Sequence, residues 1–336
     1  MTFLTFRIIF LAGALSLFLS PLLIKLTNWA GIVDKPGSAP HKQHQGNVPI
    51  AGGAMMVLTA LLVLFTQETL HDTSIWQIMA PSLVIFAFGL WDDIHGASAR
   101  VKMAGQLVAT VYLILNGVYV QLFDPSLNWL NWGLTIFWVV GITNAFNFVD
   151  SMDGLAAGLA GLSAAFFMLA TYDSGQPTLS LFSAVLVGVC LGAYFFNATP
   201  AHYFLGDSGA QWLGFTLASL AIAYNPEGFL RTQSWYLPIL LVGIPIFDTT
   251  LVVFSRLRRG KPIYRANMDH TFHRLVAFGL NRNRAVLLMH VMALLLGCFA
   301  FMALELPPLL ANLAFGVCLL GGLGGILWFD NRKRWQ

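Results

Sequence analysis

The feature that most limits what this chain can become is a succession of apolar runs, each near the roughly 20 residues a helix needs to cross a bilayer core. Eleven fall near residues 4–25, 48–66, 75–91, 103–120, 130–148, 155–171, 178–196, 211–224, 235–254, 285–304 and 308–329. Only 10% of the 336 residues are charged, against roughly 25% in a soluble domain, so polar surface to face water is lacking. Backbone groups in lipid must be satisfied within the segment, which makes each run a helix. The expected fold is therefore all-α: a polytopic integral membrane protein of about eleven transmembrane helices. Segments three, six and eight are short or glycine-rich, and losing one gives ten. No intervening polar stretch is long enough for a second domain, so residues 1–336 read as one.

The first run has no small-residue cleavage site before a polar region. SLFLSPLLIKLTNWAG runs on into a loop, and a retained span is expected rather than a removed signal peptide. With eleven spans, sixteen of the 18 Lys and Arg fall on one side, leaving Arg7 within the first span and Arg231 opposite. The basic side is expected to be cytoplasmic, with the N-terminus outside. Cys190, Cys298 and Cys318 lie in apolar runs without CxxC spacing and read as buried packing residues rather than metal ligands or disulfide partners.

Unusual polar residues gather at the span ends on the basic side. The loop DKPGSAPHKQHQGNVPIAGG carries Lys42 and His44, either as a basic strip attracted to anionic lipid or as direct substrate contacts. Span three ends GLWDDIHGASARVKMAGQ. Its Asp92 and Asp93 sit about 100° apart on a helix, so both reach one ligand only near a helix end. Adjacent carboxylates repel and need a cation or a proton; Lys102 is the nearby positive partner.

Span five runs into NAFNFVDSMDGL. Asn144, Asn147, Asp150 and Asp153 are three apart and turn by about −60° per step. The four cannot form one flat stripe unless the helix tightens or breaks, and Ser151 and Gly154 suit a break. The asparagines and the aspartates are expected to address different parts of one cavity. In FNATPAHYFLGDSGAQWLG, Asp207 lies in a flexible turn opening the next span, where Asp207 or Ser208 could also act as a helix N-cap. The longest basic-side loop, within residues 255–284, holds eight Lys or Arg, Asp269 and the pair His270 and His273. A positive-inside signal explains the arginines but not the HxxH.

Intramembrane ionisable groups are functional candidates by default. At least five carboxylates gathered with one dense cationic loop fit a divalent cation handling a polyanionic substrate. Mg²⁺ takes one or two carboxylates plus substrate phosphates, so some of the five must serve another role.

GLWDD, NAFNFVDSMDGL, FNATPAHYFLGDSG, PIFDTTLVVFSRLRRGKPI and DHTFHRL occur in the order seen in the polyprenyl-phosphate N-acetylhexosamine-1-phosphate transferases, and the chain resembles that family from the Asp34 loop to the HxxH loop. The resemblance implies that a polyprenyl phosphate attacks the β-phosphorus of a UDP-amino sugar, releasing UMP. It implies Mg²⁺, with Mn²⁺ as a substitute, held by Asp207 and Asp92. Asp92 and Asp93 would approach the metal and the lipid phosphate. Asn144, Asn147, Asp150 and Asp153 would line the nucleotide-sugar cavity, with Lys102 nearby. His270 and His273 would hold phosphate or sugar, and Asp248 would stand behind them. The implied catalytic set is Asp92, Asp93, Asp150, His270 and His273. The implied substrate-binding set is Lys102, Asn144, Asn147, Asp153, Lys42 and His44.

The implied partners are a UDP-N-acetylhexosamine, a polyprenyl phosphate and the membrane, with no nucleic acid; a homodimer is left open. The implied location is a bacterial inner membrane, with the catalytic face cytoplasmic. This chain departs from the family in having HTFH where one branch has consecutive histidines and the GlcNAc branch HxHH. That argues against phospho-MurNAc-pentapeptide translocase and for the GlcNAc type. Ser151 and Ala210 replace a usual Gly and Ser without removing charge.

Other classes fit less well. An ion-coupled transporter would also hold intramembrane acids but usually shows repeated halves with broken helices, and no internal repeat is found. A GxGD-type aspartyl protease lacks its first Gly in FLGD. A CDP-alcohol transferase would want an Arg soon after Asp153-Gly154, and LAAGLAG has none.

Overall fold

The computed structural model describes residues 3–35, 46–68, 71–226, 234–262 and 269–331. Lys42 and His44 lie outside the described residues. A helix occupies each of the eleven expected positions. Up to Asn225 these are α1 (Phe3–Ala30), α2 (Gly52–Thr66), α3 (Thr73–His95), α4 (Ala99–Leu115), α5 (Asn128–Val149), α6 (Leu155–Asp173), α7 (Pro177–Asn197) and α8 (Gly206–Ala223). After it come α9 (Leu237–Leu241), α10 (Gly243–Arg258), α11 (Thr271–Ala277), α12 (Arg282–Leu304) and α13 (Pro308–Asp330).

Seven of them, α1, α3, α5, α6, α7, α12 and α13, are long and apolar enough to cross a membrane; the chain is an all-helical, multi-pass membrane protein. Helices α2, α4, α8 and α10 are shorter, at 15 to 18 residues. The ninth expected segment is two helices rather than one. Val242 between them departs from helical angles (φ −109°, ψ 23°), and Pro245 offers no N–H to the Leu241 carbonyl.

The chain divides into two compact units, residues 1–225 and 226–336. In the first, α8 is the axis: every side chain from Ser208 to Ala221 is buried, and it packs on α2, α3, α5 and α6. Helix α1 lies against α7 and turns Phe3, Phe10 and Trp29 outward, as a lipid-facing helix should. Several hydroxyls inside the helices bond back to the preceding turn, as Thr110 does to the Gln106 carbonyl (2.7 Å) and Thr143 to that of Val139 (2.7 Å), which satisfies them without water.

The start of α8 is fixed from two directions. Strand β1 (Val33–Asp34) pairs antiparallel with β2 (Val48–Pro49). The chain after β2 then hydrogen-bonds the segment before Asp207: Gly52 N–H to the Phe204 carbonyl at 3.1 Å and Gly53 N–H to that of Leu205 at 3.0 Å. Helix α3 approaches backbone to backbone at Gly89, where a β-carbon would lie 2.5 Å from Ser208 Cα and 2.7 Å from its nitrogen. Between membrane helices, where lipid is as apolar as leucine, such close approach through small residues drives association.

In the second unit α12 packs along α9, α10, α11 and α13, and α10 along α13. Here the reading of the cysteines needs correction. Cys190 is buried, but Cys298 is exposed on α12 and Cys318 partly exposed on α13, because each of these helices keeps an apolar face uncovered by the protein.

Gly89→Ala is expected to lower stability by about 1–3 kcal/mol, the usual cost of forcing an atom into a filled core. Thermal unfolding of detergent-purified protein checks this; an unchanged midpoint would mean α3 does not meet α8 here.

Candidate active site

The end of α3 delivers two carboxylates to α8, and each meets a different part of it. Asp93 Oδ1 accepts the Asp207 N–H at 2.8 Å, and Oδ2 accepts the Ser208 N–H (3.1 Å) and hydroxyl (2.5 Å). These are orphan donors of a helix start, where the helix dipole also favours negative charge. Leu205, at the N-cap position, has an apolar side chain that cannot accept a hydrogen bond. The cap therefore comes neither from Asp207 nor from Ser208 but from Asp93 on another helix. Gly206, with φ +73°, leaves room for it: a β-carbon there would sit 2.5 Å from Asp93 Oδ2.

Asp92, one residue back and rotated around the helix, faces the Asp207 side chain instead. A tight turn closes α3 at Gly96, whose N–H bonds the Asp92 carbonyl at 2.8 Å, and Ser98 caps α4. This reversal carries Lys102 back between the two acids. Its Nζ lies 2.5 Å from Asp92 Oδ2 and also bonds Asp207 Oδ2. The Lys102, Asp207 and Asp92 side chains are 26%, 23% and 10% exposed, so a ligand can reach them. Two carboxylates share one ammonium, so with both acids ionised the trio is one positive charge short of neutral. Among the described residues no group of three or more His, Cys, Asp or Glu is arranged to hold a metal. Asp92 and Asp207 do converge on one positive group, the Lys102 ammonium, with oxygen donors alone. That fits an ion such as Mg²⁺, which draws its remaining ligands from phosphate and water.

One turn deeper lies a layer of amides that the sequence reading missed apart from Asn144. Gln106 Nε2 donates to Gln211 Oε1 (2.9 Å), and Asn144 Nδ2 donates to Gln106 Oε1 (2.8 Å). Gln106 follows Lys102 by four residues and Gln211 follows Asp207 by four, so each lies on the same helix face as its charged neighbour. That spacing, polar at i and i+4 inside an apolar run, was the available signal.

The break in NAFNFVDSMDGL falls where expected: α5 ends at Val149, and Gly154 (φ +75°) opens α6. Asn144 points into the bundle, whereas Asp153 accepts the Ala201 N–H at 3.3 Å. Asp150, in the turn, has its carboxyl pushed well above the usual range by burial and then by the charges of Asp207, Asp93 and Asp153. Asn147 lies one turn from Asn144 and is partly exposed. Asn197, also missed, joins the Gly154 N–H (3.0 Å) to the Tyr203 carbonyl (3.0 Å), tying this turn to the approach to Asp207.

The second unit carries its own polar cluster. Asp248 Oδ2 lies 2.8 Å from His270 Nδ1, and Oδ1 accepts the Thr271 N–H at 2.6 Å; it stands behind the histidine as expected. Asp269 is held by both arms of Arg256, at 3.0 and 2.7 Å. Burial raises the Asp269 carboxyl, but the guanidinium outweighs this and holds it below the usual range. The His270 and His273 ring centres are 5.8 Å apart, and the Phe272 ring lies against His273 with centres 3.8 Å apart and planes tilted by 34°.

A model of glycosyl transferase family 4 matches residues 75–225. A probable undecaprenyl-phosphate N-acetylglucosaminyl 1-phosphate transferase of Bacillus subtilis is 30% identical over 285 residues, spanning 82% of this chain and 78% of the relative. A decaprenyl-phosphate N-acetylglucosaminephosphotransferase of Mycobacterium tuberculosis is 30% identical over 286 residues, spanning 74% and 70%. A phospho-N-acetylmuramoyl-pentapeptide-transferase of Desulfotalea psychrophila is 28% identical over 337 aligned positions, spanning 88% and 91%.

His273 is pushed down to about 4 by burial and by His270, against the pull of Asp248 and Asp269. It should stay neutral to about pH 5, and an NMR titration of labelled histidine should place its midpoint near 4; one near the ordinary ~6.5 would refute the burial. The unfolded chain takes up this proton at higher pH than the folded chain. Acidification from pH 7 toward 4 therefore works against the fold at this residue.

Proposed function

Because this chain belongs to glycosyl transferase family 4, we propose that it transfers an N-acetylhexosamine-1-phosphate, specifically GlcNAc-1-phosphate, from a UDP-sugar to a polyprenyl phosphate and releases UMP. The observation that carries the reading is the Asp92–Lys102–Asp207 trio at the capped start of α8. GlcNAc is favoured by the HTFH loop and by the names of the two relatives at 30% identity. The pentapeptide-transferase alternative rests on a 28% relative. Family membership sets the transporter aside.

Two anions must meet, so charge neutralisation dominates the barrier. Asp207 and Asp92 would hold Mg²⁺, which when bound supplies positive charge to the pyrophosphate and the departing UMP. Lys102, already shared between these acids, would turn to substrate phosphate once a cation takes its place. Asp92 also positions the lipid phosphate, which with a second pKa near ~6 is largely dianionic and needs no strong base. Asp93 acts through α8, since both its oxygens are engaged there. Asn147, Asp150 and Asp153 line the nucleotide-sugar side, with Asn144 anchoring that wall. His270 and His273, in the second unit, keep the phosphate- or sugar-binding role their motif implies.

The whole chain works as one transferase domain of eleven spans in a bacterial inner membrane. Its N-terminus is outside, and loop 255–284 is on the cytoplasmic side, where UDP-sugars are made. The bias of Lys and Arg to one side supports this orientation.

Purified protein given polyprenyl phosphate and Mg²⁺ should release UMP from UDP-GlcNAc within a panel of UDP-sugars; no UMP with any of them defeats the reading. Asp207→Asn should cut turnover by on the order of 10²–10³, as for loss of one transition-state charge contact, with the unfolding midpoint kept. Asp93→Ala should lower both, since it strips a cap worth about 0.5–2 kcal/mol. Normal Mg²⁺-dependent turnover in Asp207→Asn would sink the ligand assignment.

A further inference from the structure

The turn Asp269-His270-Thr271 is gripped from more than its own motif. Arg274, with no exposed surface, sends Nε to the Asp269 carbonyl (3.0 Å), Nη1 to the Phe329 carbonyl (3.0 Å) and Nη2 to Ser255 Oγ (2.8 Å). The Ser255 hydroxyl in turn donates a hydrogen bond to Asp330 Oδ1 at 2.6 Å. Asp330, the last residue of α13 and itself without exposed surface, gathers further positive charge. Arg258 Nε lies 2.7 Å from Oδ2, an ion contact rather than an aligned hydrogen bond, and Arg259 Nη2 donates to Oδ1 at 3.2 Å. Arg274 Nη1 is 3.8 Å from the same oxygen.

Three elements thus meet on one buried carboxylate: the end of α10, the end of α13, and the short helix α11 through Arg274. A buried carboxylate among arginines is expensive to assemble and weak evidence of stability on its own. What it supplies is a fixed geometry, because moving any one member strands a charge. The Arg274 Nε contact falls on the carbonyl immediately before His270, so the chain of contacts ends at the backbone of that histidine.

We propose that Asp330, acting through Ser255 and Arg274, is a positioning residue for His270, holding the histidine turn in register with Asp248. This rests on the assignment of His270 to substrate in the preceding section. Asp248 fixes the ring; the Asp330 chain fixes the backbone that carries it. Displacement of a reacting group by about 1 Å can cost on the order of 10²-fold in rate. The loss should therefore appear in kcat while KM for the UDP-sugar changes little.

The test is UMP-release kinetics on the full-length protein in Asp330→Asn, Ser255→Ala, Ser255→Thr and His270→Ala, with a double variant joining Asp330→Asn to His270→Ala. Unfolding midpoints are measured in parallel. Asp330→Asn should lose roughly 10–10²-fold in kcat. Ser255→Ala, a milder change that covers any failure of the first to fold, should lose less, and Ser255→Thr, which keeps the hydroxyl, should recover most of it. In the double variant the two losses should not multiply, since residues acting through one group are not additive. Wild-type kcat in folded Asp330→Asn and Ser255→Ala, beside an inactive His270→Ala, overturns the proposal and leaves the assignment of His270 standing. Multiplying losses also overturn it, as the mark of a merely structural role. Wild-type kcat in His270→Ala removes the assignment itself, and the proposal with it.

Discussion

One ammonium shared by two carboxylates organises the first unit. Lys102 stands between Asp92 and Asp207, all three mostly buried, where an unpaired charge is costly, and the surrounding structure brings the three together. The α3–α4 reversal at Gly96 returns Lys102 toward Asp92. The Gly89 contact and the residue 49–53 tie fix where α8 begins, and Asp93 caps that beginning. The GLWDD pair is thus a division of labour: one acid builds the helix end that presents Asp207, and the other faces Asp207 across the cation.

With both acids ionised, the trio lacks one positive charge. A single lysine cannot neutralise both acids, and Mg²⁺ can take two carboxylates with phosphate oxygens. The proposed reaction would be served by that arrangement, since its substrates are anions that repel each other. The amide layer of Gln106, Gln211 and Asn144 lies one turn below and joins α4, α5 and α8 by uncharged groups. It can brace the three helices without adding to the charge imbalance above.

Much of this was legible in the sequence because the membrane imposes a severe grammar. Apolar run lengths located all the long helices, though not the short α11, and the threefold spacing with Gly154 located the break after α5. What was not legible came from contacts between distant segments. No pattern in LGDSG says that Asp93, 114 residues earlier, rather than Ser208, caps α8. Asn197 and Asp330 read as ordinary polar residues at helix ends until their partners are seen. The split of the ninth segment at Val242 was missed because hydropathy is blind to a proline near the start of a turn. Cys298 and Cys318 were misjudged for the converse reason, since an apolar run in a membrane can face lipid as well as protein, whereas Cys190 is buried as expected.

The central claim is that Lys102 holds the place of a cation between Asp92 and Asp207. Its most direct test is the affinity of Lys102→Met for Mn²⁺, measured by electron paramagnetic resonance or calorimetry without nucleotide. Removing a unit positive charge a few ångströms from the site should tighten binding by roughly tenfold or more, even after allowing for solvent screening. Unchanged or weaker Mn²⁺ affinity in that variant would contradict the account.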